Sequence, residues 1–329
     1  MRAAWYERQG PAHEVIEVGI MAEPHAGPGE VRVRLAVSGA NPSDVKRRGG
    51  WRGQQMGFGR IVPHSDGAGV IDEVGQGVDP TRMGERVWVY NAQWQRPFGT
   101  AAEYVALPAA QAIHLPDGAG FDEGACLAIP GMTAHRCVFA DGPVDGRTVL
   151  VTGGAGSVGF YAVQLAKWAG ATVITTVSND DKAEFAASAG ADHVLNYRTD
   201  DVAGRIMEIT DGGGVDRIVE VDFGANLAVT DAVLKRHGVV VTYASMAEPR
   251  PSLPFYSFML RNVLIRFVFL YEVAPDDLAR AAQDLNTCID QGGLRHPIAK
   301  RFPLSETAAA HVAVESGRLI GHAVIDIEA

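Results

Sequence analysis

The spacing of hydrophobic and polar positions changes near residue 120. Before that point, apolar residues alternate with polar ones in short runs such as Val31–Val37, Gly69–Val74 and Arg86–Tyr90, and clusters of Gly and Pro separate the runs. A period of two residues is typical of half-buried β-strands. The pattern therefore predicts a small irregular β-barrel or sandwich up to about Pro116.

From Asp122 onward, helical spacing runs to about Ala140, and strand-like runs then alternate with helical ones. The predicted elements are Thr148–Val151, Phe160–Ala169, Thr172–Val177, Lys182–Ala189, Asp192–Leu195, Val202–Thr210, Arg217–Val221, Leu227–Leu234 and Val239–Tyr243. A helix over Pro275–Gln291 follows, and the tail has short strands and one helix around Ser305–Ser316. Strand–helix alternation is typical of βαβ units with a parallel sheet.

One strand-to-helix junction carries the most specific motif. A short apolar run meets a turn in which Gly154, Gly156 and Gly159 form G-x-G-x-x-G, and a helical pattern follows at once. In this context we expect Gly154 to allow the tight turn, Gly156 to let the backbone approach a pyrophosphate, and Gly159 to let helix pack on strand. The turn predicts a dinucleotide site, in which the helix-start amides bind the anion. Its other candidate contacts are Ala155, Ser157 and Val158.

The two patterns predict an α/β protein with two domains, because 329 residues exceed the size at which one core stops growing. We expect residues 118–292 to form a Rossmann domain with a doubly wound parallel sheet. Residues 1–117 would form the β domain, to which residues 293–329 would return.

The charge and composition of the chain limit the kinds of partner and the cellular location that we expect. The net charge of -10 disfavours a general nucleic-acid or membrane surface, and no apolar run approaches the roughly 18 residues of a membrane span. The amino-terminal residues lack the apolar core of a secretory signal. Cys126, Cys137 and Cys288 form no disulfide framework. We therefore expect a cytoplasmic protein.

Several short motifs occur in order along almost the whole chain. They are Ala40-Asn41-Pro42-Ser43-Asp44, Arg48 with Gly50, His64–Val70, Gly84–Val87, Ala102-Glu103-Tyr104, Gly131–Ala134 and the glycine turn. With these motifs the chain resembles the medium-chain dehydrogenase/reductase superfamily, and within it the zinc-independent, zeta-crystallin-like quinone oxidoreductases. The resemblance implies a GroES-like β domain, a Rossmann domain and an active site in the cleft.

The zinc-dependent members of that superfamily hold a catalytic metal with cysteine and histidine. At the matching positions this chain has Asn41, Ser65 and Pro130, and none of them offers a thiolate, imidazole or carboxylate. His64 lies one residue away, and three cysteines cannot form a four-cysteine structural site. We therefore expect a metal-free enzyme, whose substrate must already be electrophilic, as quinones and enones are.

The expected cofactor is NADPH. The strand ending at Val177 is followed by Ser178, where an NAD enzyme usually has an acid for the ribose hydroxyls. Ser178, Lys182 and Tyr197 match the family's contacts with the 2′-phosphate. Asp180 and Asp181 leave an alternative open, since they could bind a ribose, or serve as the N-cap and first-turn acid of the next helix.

The catalytic candidates are Asn41, Asp44 and Arg48. The resemblance places Asn41 beside the nicotinamide, where its amide could hold a substrate oxygen or water, whereas the alternative is an Asx-turn before Pro42. Asp44 matches a cleft position or caps the next turn. Arg48, like Lys46, could stabilise negative charge on a reduced quinone, or belong to a solvated face.

Further candidates come from the loops. Trp51, Phe58 and Trp94 could stack on a flat quinone, although aromatic residues are more often part of a core. Thr133 resembles a position near the nicotinamide and the cofactor phosphates, or is an interior helix threonine. Tyr243 and Ser245 follow a strand end where cofactor-binding loops gather. His64 and His135 are noted, although single histidines are usually structural.

These residues together predict hydride transfer from NADPH to a quinone. One alternative is an NADPH-dependent enone or 2-alkenal reductase, with the same chemistry and a different substrate. Another, of a different class, is an NADPH-binding structural or RNA-associated protein, and the net charge of -10 argues against RNA.

The run Asn262–Tyr271 is rich in β-forming residues, and an exposed edge of this kind is an aggregation hazard unless it is paired. In the superfamily this region joins the sheets of two subunits. We therefore expect a homodimer, the alternative being a strand covered within one chain.

Overall fold

A computed structural model describes residues 1–327 of the chain, and residues 328 and 329, the end of the predicted returning segment, lie outside the described residues. The chain divides into two compact units. Residues 1–129 and the segment from residue 296 onward form the first, and residues 130–295 form the second.

The strands are β1 (Arg2–Trp5), β2 (Glu17–Ile20), β3 (Glu30–Ala40), β4 (Asp66–Val74), β5 (Arg86–Val89), β6 (Tyr104–Pro108), β7 (Ala112–His114), β8 (Thr148–Val151), β9 (Thr172–Val177), β10 (His193–Asn196), β11 (Val215–Glu220), β12 (Leu234–Thr242), β13 (Leu264–Phe267), β14 (Ile298–Pro303) and β15 (His322–Asp326). The α-helices are α1 (Ala12–Val15), α2 (Pro42–Arg48), α3 (Phe121–Gly124), α4 (Thr133–Phe139), α5 (Ser157–Trp168), α6 (Asp180–Ser188), α7 (Val202–Ile209), α8 (Leu227–Val233), α9 (Phe255–Leu260), α10 (Pro275–Asp290) and α11 (Thr307–Glu315).

The first unit is built on a seven-stranded, mostly antiparallel sheet. Its order is β14-β15-β3-β4-β5-β7, β6 pairs with β3, and β1 and β2 form a separate antiparallel pair. Along β3 the side chains of Val31, Val33 and Leu35 are buried, and those of the intervening arginines are not, as the alternating pattern predicts. β15 pairs with β3 in the register Ala323↔Ala40, so the tail completes this sheet.

The second unit is built on a six-stranded parallel sheet in the order β10-β9-β8-β11-β12-β13. Val149, Leu150 and Val151 of β8 are all buried, because a parallel sheet carries helices on both faces. Successive strands run outward from β8 in one direction and from β11 in the other, so the strand order reverses between them. The predicted doubly wound sheet and the predicted β domain, completed by the tail, are confirmed.

Three details differ from the sequence prediction. The helical stretch Asp122–Ala140 is divided into α3, a π-helical turn at Ala128–Met132 and α4, because Pro130 has no amide hydrogen for a continuous helix. β12 begins at Leu234 instead of Val239, and its early, partly exposed residues hide the strand from a hydrophobic pattern. The first segment of the first unit extends to residue 129, because α3 packs on β3, β4 and β5, and the second unit ends at residue 295.

No helix within residues 1–327 is long and apolar enough to cross a membrane.

Gly39 provides a test of close packing in the first unit. An added Cβ atom there would lie 2.0 Å from the carbonyl oxygen of Ala125 and 3.2 Å from Cβ of Asp66. We expect Gly39→Ala to lower the free energy of unfolding by about 1–3 kcal/mol, since backbone has to move. Urea denaturation measures the change. Gly118→Ala is the control, because its Cβ meets nothing within 4 Å, and equal losses in the two variants would contradict the close approach.

Candidate active site

The glycine turn of the second unit connects β8 to α5. Gly153 has a φ of 70°, in the left-handed region, so the tight turn depends on Gly153 and not, as predicted, on Gly154. Gly154 is required for a different reason, because a Cβ there would lie 2.0 Å from Oγ1 of Thr175. A Cβ at Gly159 would lie 2.2 Å from the carbonyl oxygen of Gly153, which agrees with its predicted packing role.

The same turn fits a bound pyrophosphate. Gly156 is the N-cap of α5, and a Cβ there would meet only the carbonyl oxygen of Gly153, at 3.2 Å. Because α5 begins at Ser157, the amides of Ser157, Val158 and Gly159 have no acceptor one turn earlier in the helix. Amide donors at the positive end of a helix dipole bind anions. Because the N-cap, Gly156, has no side chain, a ligand has room to approach these amides, beside Ala155.

The residues predicted for a 2′-phosphate gather at the ends of β9 and β10. The amide of Tyr197 donates to the carbonyl of Val177 at 3.0 Å, so Tyr197 lies next to the residue that follows, Ser178. The Tyr197 side chain is 54% exposed. Lys182 is in the first turn of α6, and none of the ion pairs of the described chain involves it.

Asn179, and neither of the two aspartates, is the N-cap of α6, and its side chain accepts from the amide of Lys182 at 3.0 Å. Asp180 and Asp181 are both exposed and both lie in the first helical turn. This arrangement agrees with the helix-start alternative for the pair, except that the N-cap is one residue earlier. Acidic residues at this position interact favourably with the helix dipole.

A buried carboxyl group at the end of β11 was not anticipated from the sequence. Oε1 of Glu220 accepts from Oγ1 of Thr152 at 2.9 Å and from Nδ2 of Asn226 at 2.8 Å, whereas Oε2 has no hydrogen-bond partner. Burial raises the pKa of Glu220. The group lines a cavity of about 270 Å³. The other lining residues are Leu150, Thr152, Thr176, Tyr197, Asp200, Asp201, Val202, Ala203, Asn226, Val229 and Thr230.

The remaining cofactor candidates either form hydrogen bonds within the protein or are buried. The hydroxyl of Ser245 accepts from the amide of Gly224 at 3.0 Å and donates to the carbonyl of Glu248, so it joins two loops. The amide of Tyr243 donates to the carbonyl of Glu220 at 3.3 Å. Thr133 is the first residue of α4 and is buried. Their roles in cofactor binding stay predictions.

In the first unit, Asn41 belongs to a buried polar cluster at the start of α2. Its Nδ2 atom donates to Oδ2 of Asp66 at 2.8 Å, and the amide of Ile129 donates to the same oxygen at 2.9 Å. The backbone amide of Asn41 donates to Oδ2 of Asp44 at 2.8 Å, the capping contact that was the alternative for Asp44. Asp66 therefore fixes the orientation of the Asn41 carboxamide.

Burial dominates the electrostatics of this cluster. It raises the pKa of Asp44 to about 7, against opposing effects of the Asn41 amide and the Arg47 charge. It raises the pKa of Asp66 well above its usual value, and the charge of Asp44 adds to the shift. Oδ1 of each carboxyl group has no hydrogen-bond partner. Both groups therefore favour the protonated form.

Arg48 does not lie on a solvated face, and its guanidinium is already bonded within the protein. It is buried, and its guanidinium bonds the carboxylate of Glu315 and the carbonyl of Gly10. These contacts tie α2 to α11 and to the loop after β1. The predicted catalytic role of Arg48 would have to compete with them.

His64 is held in a buried chain of hydrogen bonds. Nδ1 lies 2.9 Å from Oγ of Ser38, and Nε2 lies 2.9 Å from Nε2 of His311. Burial lowers the pKa of His64 to about 3 and that of His311 well below its usual value, so both rings are neutral near pH 7. Within residues 1–327, no group of three His, Cys, Asp or Glu side chains is arranged to hold a metal ion. In the second unit, His135 pairs with Asp284 at 2.8 Å.

The predicted substrate aromatics are not core residues of the first unit. Trp51 and Phe58 are 39% and 37% exposed, and Trp94 is half-buried. Lys46 Nζ lies 5.2 Å from the Trp51 ring centroid, and Arg47 Cζ lies 5.1 Å from that of Trp94. Basic groups and aromatic rings thus occur together beside α2.

Two known families cover most of the chain. Residues 27–117 match the alcohol dehydrogenase GroES-like domain, and residues 157–287 match the zinc-binding dehydrogenase family.

Individual proteins are similar over nearly the full length. A quinone oxidoreductase of Pseudomonas aeruginosa is 31% identical over 95% of both chains. A 2-haloacrylate reductase of a Burkholderia species is 32% identical and covers 99% of this chain and 98% of its own. A mycobacterial protein solved in complex with NADPH is 27% identical, with a TM-score of 0.87 over 99% of this chain and 100% of its own.

The raised pKa of Asp44 predicts a pH-dependent effect of Asp44→Asn. The folded-state pKa of about 7 exceeds the usual unfolded value, so the wild type loses stability as pH rises from about 4 to 7. The side-chain amide of the variant keeps an oxygen that can accept from the backbone amide of Asn41, and it carries no charge. The stability of the variant relative to wild type should therefore increase over this range, by up to about 4 kcal/mol. Thermal melts at several pH values measure it, and a pH-independent difference would contradict the shift.

Proposed function

The chain belongs to the medium-chain dehydrogenase/reductase superfamily of oxidoreductases, and we propose that it is a metal-independent NADPH:quinone oxidoreductase. The observation that carries the proposal is the chemistry of Asn41. Where zinc-dependent relatives have a cysteine ligand, this chain has a buried amide that is bonded to Asp66. An amide is not among the side chains that bind zinc in proteins.

The cofactor half of the proposal rests on the glycine turn and on the ends of β9 and β10. The turn offers helix-start amides to a pyrophosphate, and Lys182 offers a positive charge near Ser178 and Tyr197. With Ser178 at the end of β9, no acid occupies the usual position for binding ribose hydroxyls. NADPH, when bound, supplies the hydride.

The proposed substrate class follows from the group that would polarise the substrate carbonyl. The proposed role of Asn41 is to hold the substrate carbonyl oxygen through an amide hydrogen, with Asp66 fixing the direction of the side chain. A neutral amide polarises a carbonyl less than a metal ion does. The substrate must therefore be electrophilic by itself, and catalysis comes mainly from proximity and orientation, which can contribute about 7–11 kcal/mol.

A second candidate is reduction of an α,β-unsaturated carbonyl compound. The observation in its favour is the similarity to the 2-haloacrylate reductase, at 32% identity over nearly the whole chain. The same residues would serve, since an enone presents a comparable carbonyl oxygen.

We also propose a homodimer formed through the edge of the second unit's sheet. β13 is the last strand of that sheet, and Phe267 on it is 74% exposed. Nearby, Tyr256, Leu260 and Phe269 are more than half exposed. A large exposed apolar surface on an unpaired edge is typical of a protein interface.

A cytoplasmic location is part of the proposal. Cys126, Cys137 and Cys288 are buried free thiols, which suits a reducing compartment.

The proposed activity is tested by following NADPH oxidation with 1,4-naphthoquinone and with a small enone, in the presence of a chelator. Rapid, chelator-insensitive oxidation with the quinone supports the first candidate, and oxidation with the enone alone supports the second. Gly156→Val should abolish turnover, because the side chain occupies the space above the helix-start amides. Turnover by that variant at the wild-type rate would contradict the cofactor site.

Lys182→Ala tests the choice of cofactor. We expect the KM for NADPH to rise about tenfold or more, since a hydrogen bond to a charged group contributes about 1.5–3 kcal/mol. The KM for NADH should stay close to the wild-type value, because NADH lacks the 2′-phosphate. Steady-state kinetics with both cofactors measure this, and equal changes would exclude a phosphate contact at Lys182.

Phe267→Glu tests the dimer. A charge on the exposed edge should shift the mass in light scattering from that of two chains to that of one. Ile20→Glu is the matched control, because Ile20 is 76% exposed on β2 of the first unit. A single-chain mass for the wild type would refute the proposed dimer.

A further inference from the structure

Four basic residues crowd the end of α2 and the turn that follows. The segment 46–52 reads Lys-Arg-Arg-Gly-Gly-Trp-Arg and has no acidic residue. Arg48 is committed to Glu315, and Arg47 lies near Asp44. Lys46 and Arg52 differ from these two, because no ion pair of the described chain includes either of them. They form a pair of cations without an acidic partner.

Both of these cations lie against one indole ring. Lys46 Nζ is 5.2 Å and Arg52 Cζ is 4.6 Å from the ring centroid of Trp51. Cation–π contacts hold the two positive groups near a flat apolar surface. Lys46 is half-buried, and its pKa is lowered by burial and then by the charge of Arg52. The charge of Arg52 thus acts on Lys46 unfavourably, and an anion bound beside the two cations would offset that repulsion.

The backbone of the turn is shaped to place Arg52 there. Arg52 has a φ of 56°, in the left-handed region that non-glycine residues rarely adopt. Gly50 and Gly53 on either side also have positive φ values, of 69° and 75°. A non-glycine residue keeps such a conformation only where the surrounding structure enforces it. The turn thus folds Arg52 over Trp51 at the cost of local strain.

We infer that Lys46, Arg52 and Trp51 form a binding site for the carboxylate of a planar, conjugated substrate. The two cations, which lie against the Trp51 ring, would bind the carboxylate, and the exposed part of the indole would contact the flat part of the molecule. The inference rests on the proposed reductase function and narrows it to anionic quinones or enones. It also gives Lys46 a role in recognition, in place of stabilising charge on the reduced product.

A binding experiment tests the site without cofactor or turnover. The probes are trans-cinnamate and cinnamamide, which have nearly the same shape and differ in charge, and calorimetry measures their affinity. We expect the wild type to prefer cinnamate, and the preference to fall in 0.5 M salt because exposed charges are screened. Lys46→Met and Arg52→Gln should each weaken cinnamate binding about tenfold. Arg318→Gln removes an exposed charge elsewhere in the same unit and is the matched control.

A turnover experiment separates this inference from the proposed function. The substrates are 4-phenylbut-3-en-2-one derivatives that carry a para-carboxylate or a para-carboxamide. The ratio of kcat/KM for the two should favour the carboxylate in the wild type and fall about tenfold in each variant. NADPH oxidation that treats both substrates alike would retain the reductase and overturn the site. Selective cinnamate binding without turnover of these enones or of 1,4-naphthoquinone would retain the site and overturn the reductase. Equal binding of cinnamate and cinnamamide would also overturn the site.

Discussion

The first unit buries the carboxyl group of Asp66 without a paired cation. The positions of the neighbouring side chains and loops in the candidate site depend on that burial. A carboxyl group removed from water needs hydrogen-bond donors, and Oδ2 receives two, from the Asn41 side chain and the Ile129 amide. The backbone carbonyl of Asp66 also accepts from the Thr100 hydroxyl. One residue thereby joins the start of α2, the loop at residue 100 and the end of the first segment of the unit.

Glu220 is placed in a comparable way in the second unit. It ends β11, is fully buried, and collects donors from the loop after β8 and from the loop after its own strand. In each unit a buried acid at a strand terminus, the first residue of β4 or the last residue of β11, holds loops that carry candidate site residues. An oxygen left without a partner in each case shows that the donors do not saturate the group. Burial raises the pKa of both groups, and the hydrogen bonds that they accept oppose the shift without reversing it.

Local signals made much of the fold predictable. Alternation in β3 and strand–helix alternation after residue 148 depend on neighbours in the sequence, and both elements formed as expected. The role of each glycine in the turn was harder to predict from the sequence. Which glycine adopts the left-handed conformation, here Gly153, depends on the geometry of the turn. The contacts of Asn41 and His64 were not predictable. Their partners, Asp66 and His311, are 25 and 247 residues away, and the pattern of a single sequence does not record such pairs. An acid followed by Gly67-Ala68-Gly69 in a strand was the one available sign that Asp66 is buried.

The net charge of the chain bears differently on extended anionic partners and on small ones. A value of -10 spread over 329 residues opposes a long polyanion, which must contact charge across a wide surface. Charges separated by more than about 8–10 Å are largely screened at physiological salt, so the distant acids do not neutralise Lys46 and Arg52. Trp51 therefore lies against two cations that form no ion pair among the described residues, on a protein of net negative charge. A patch of this size can select a small anion, and it is too small to bind a nucleic acid.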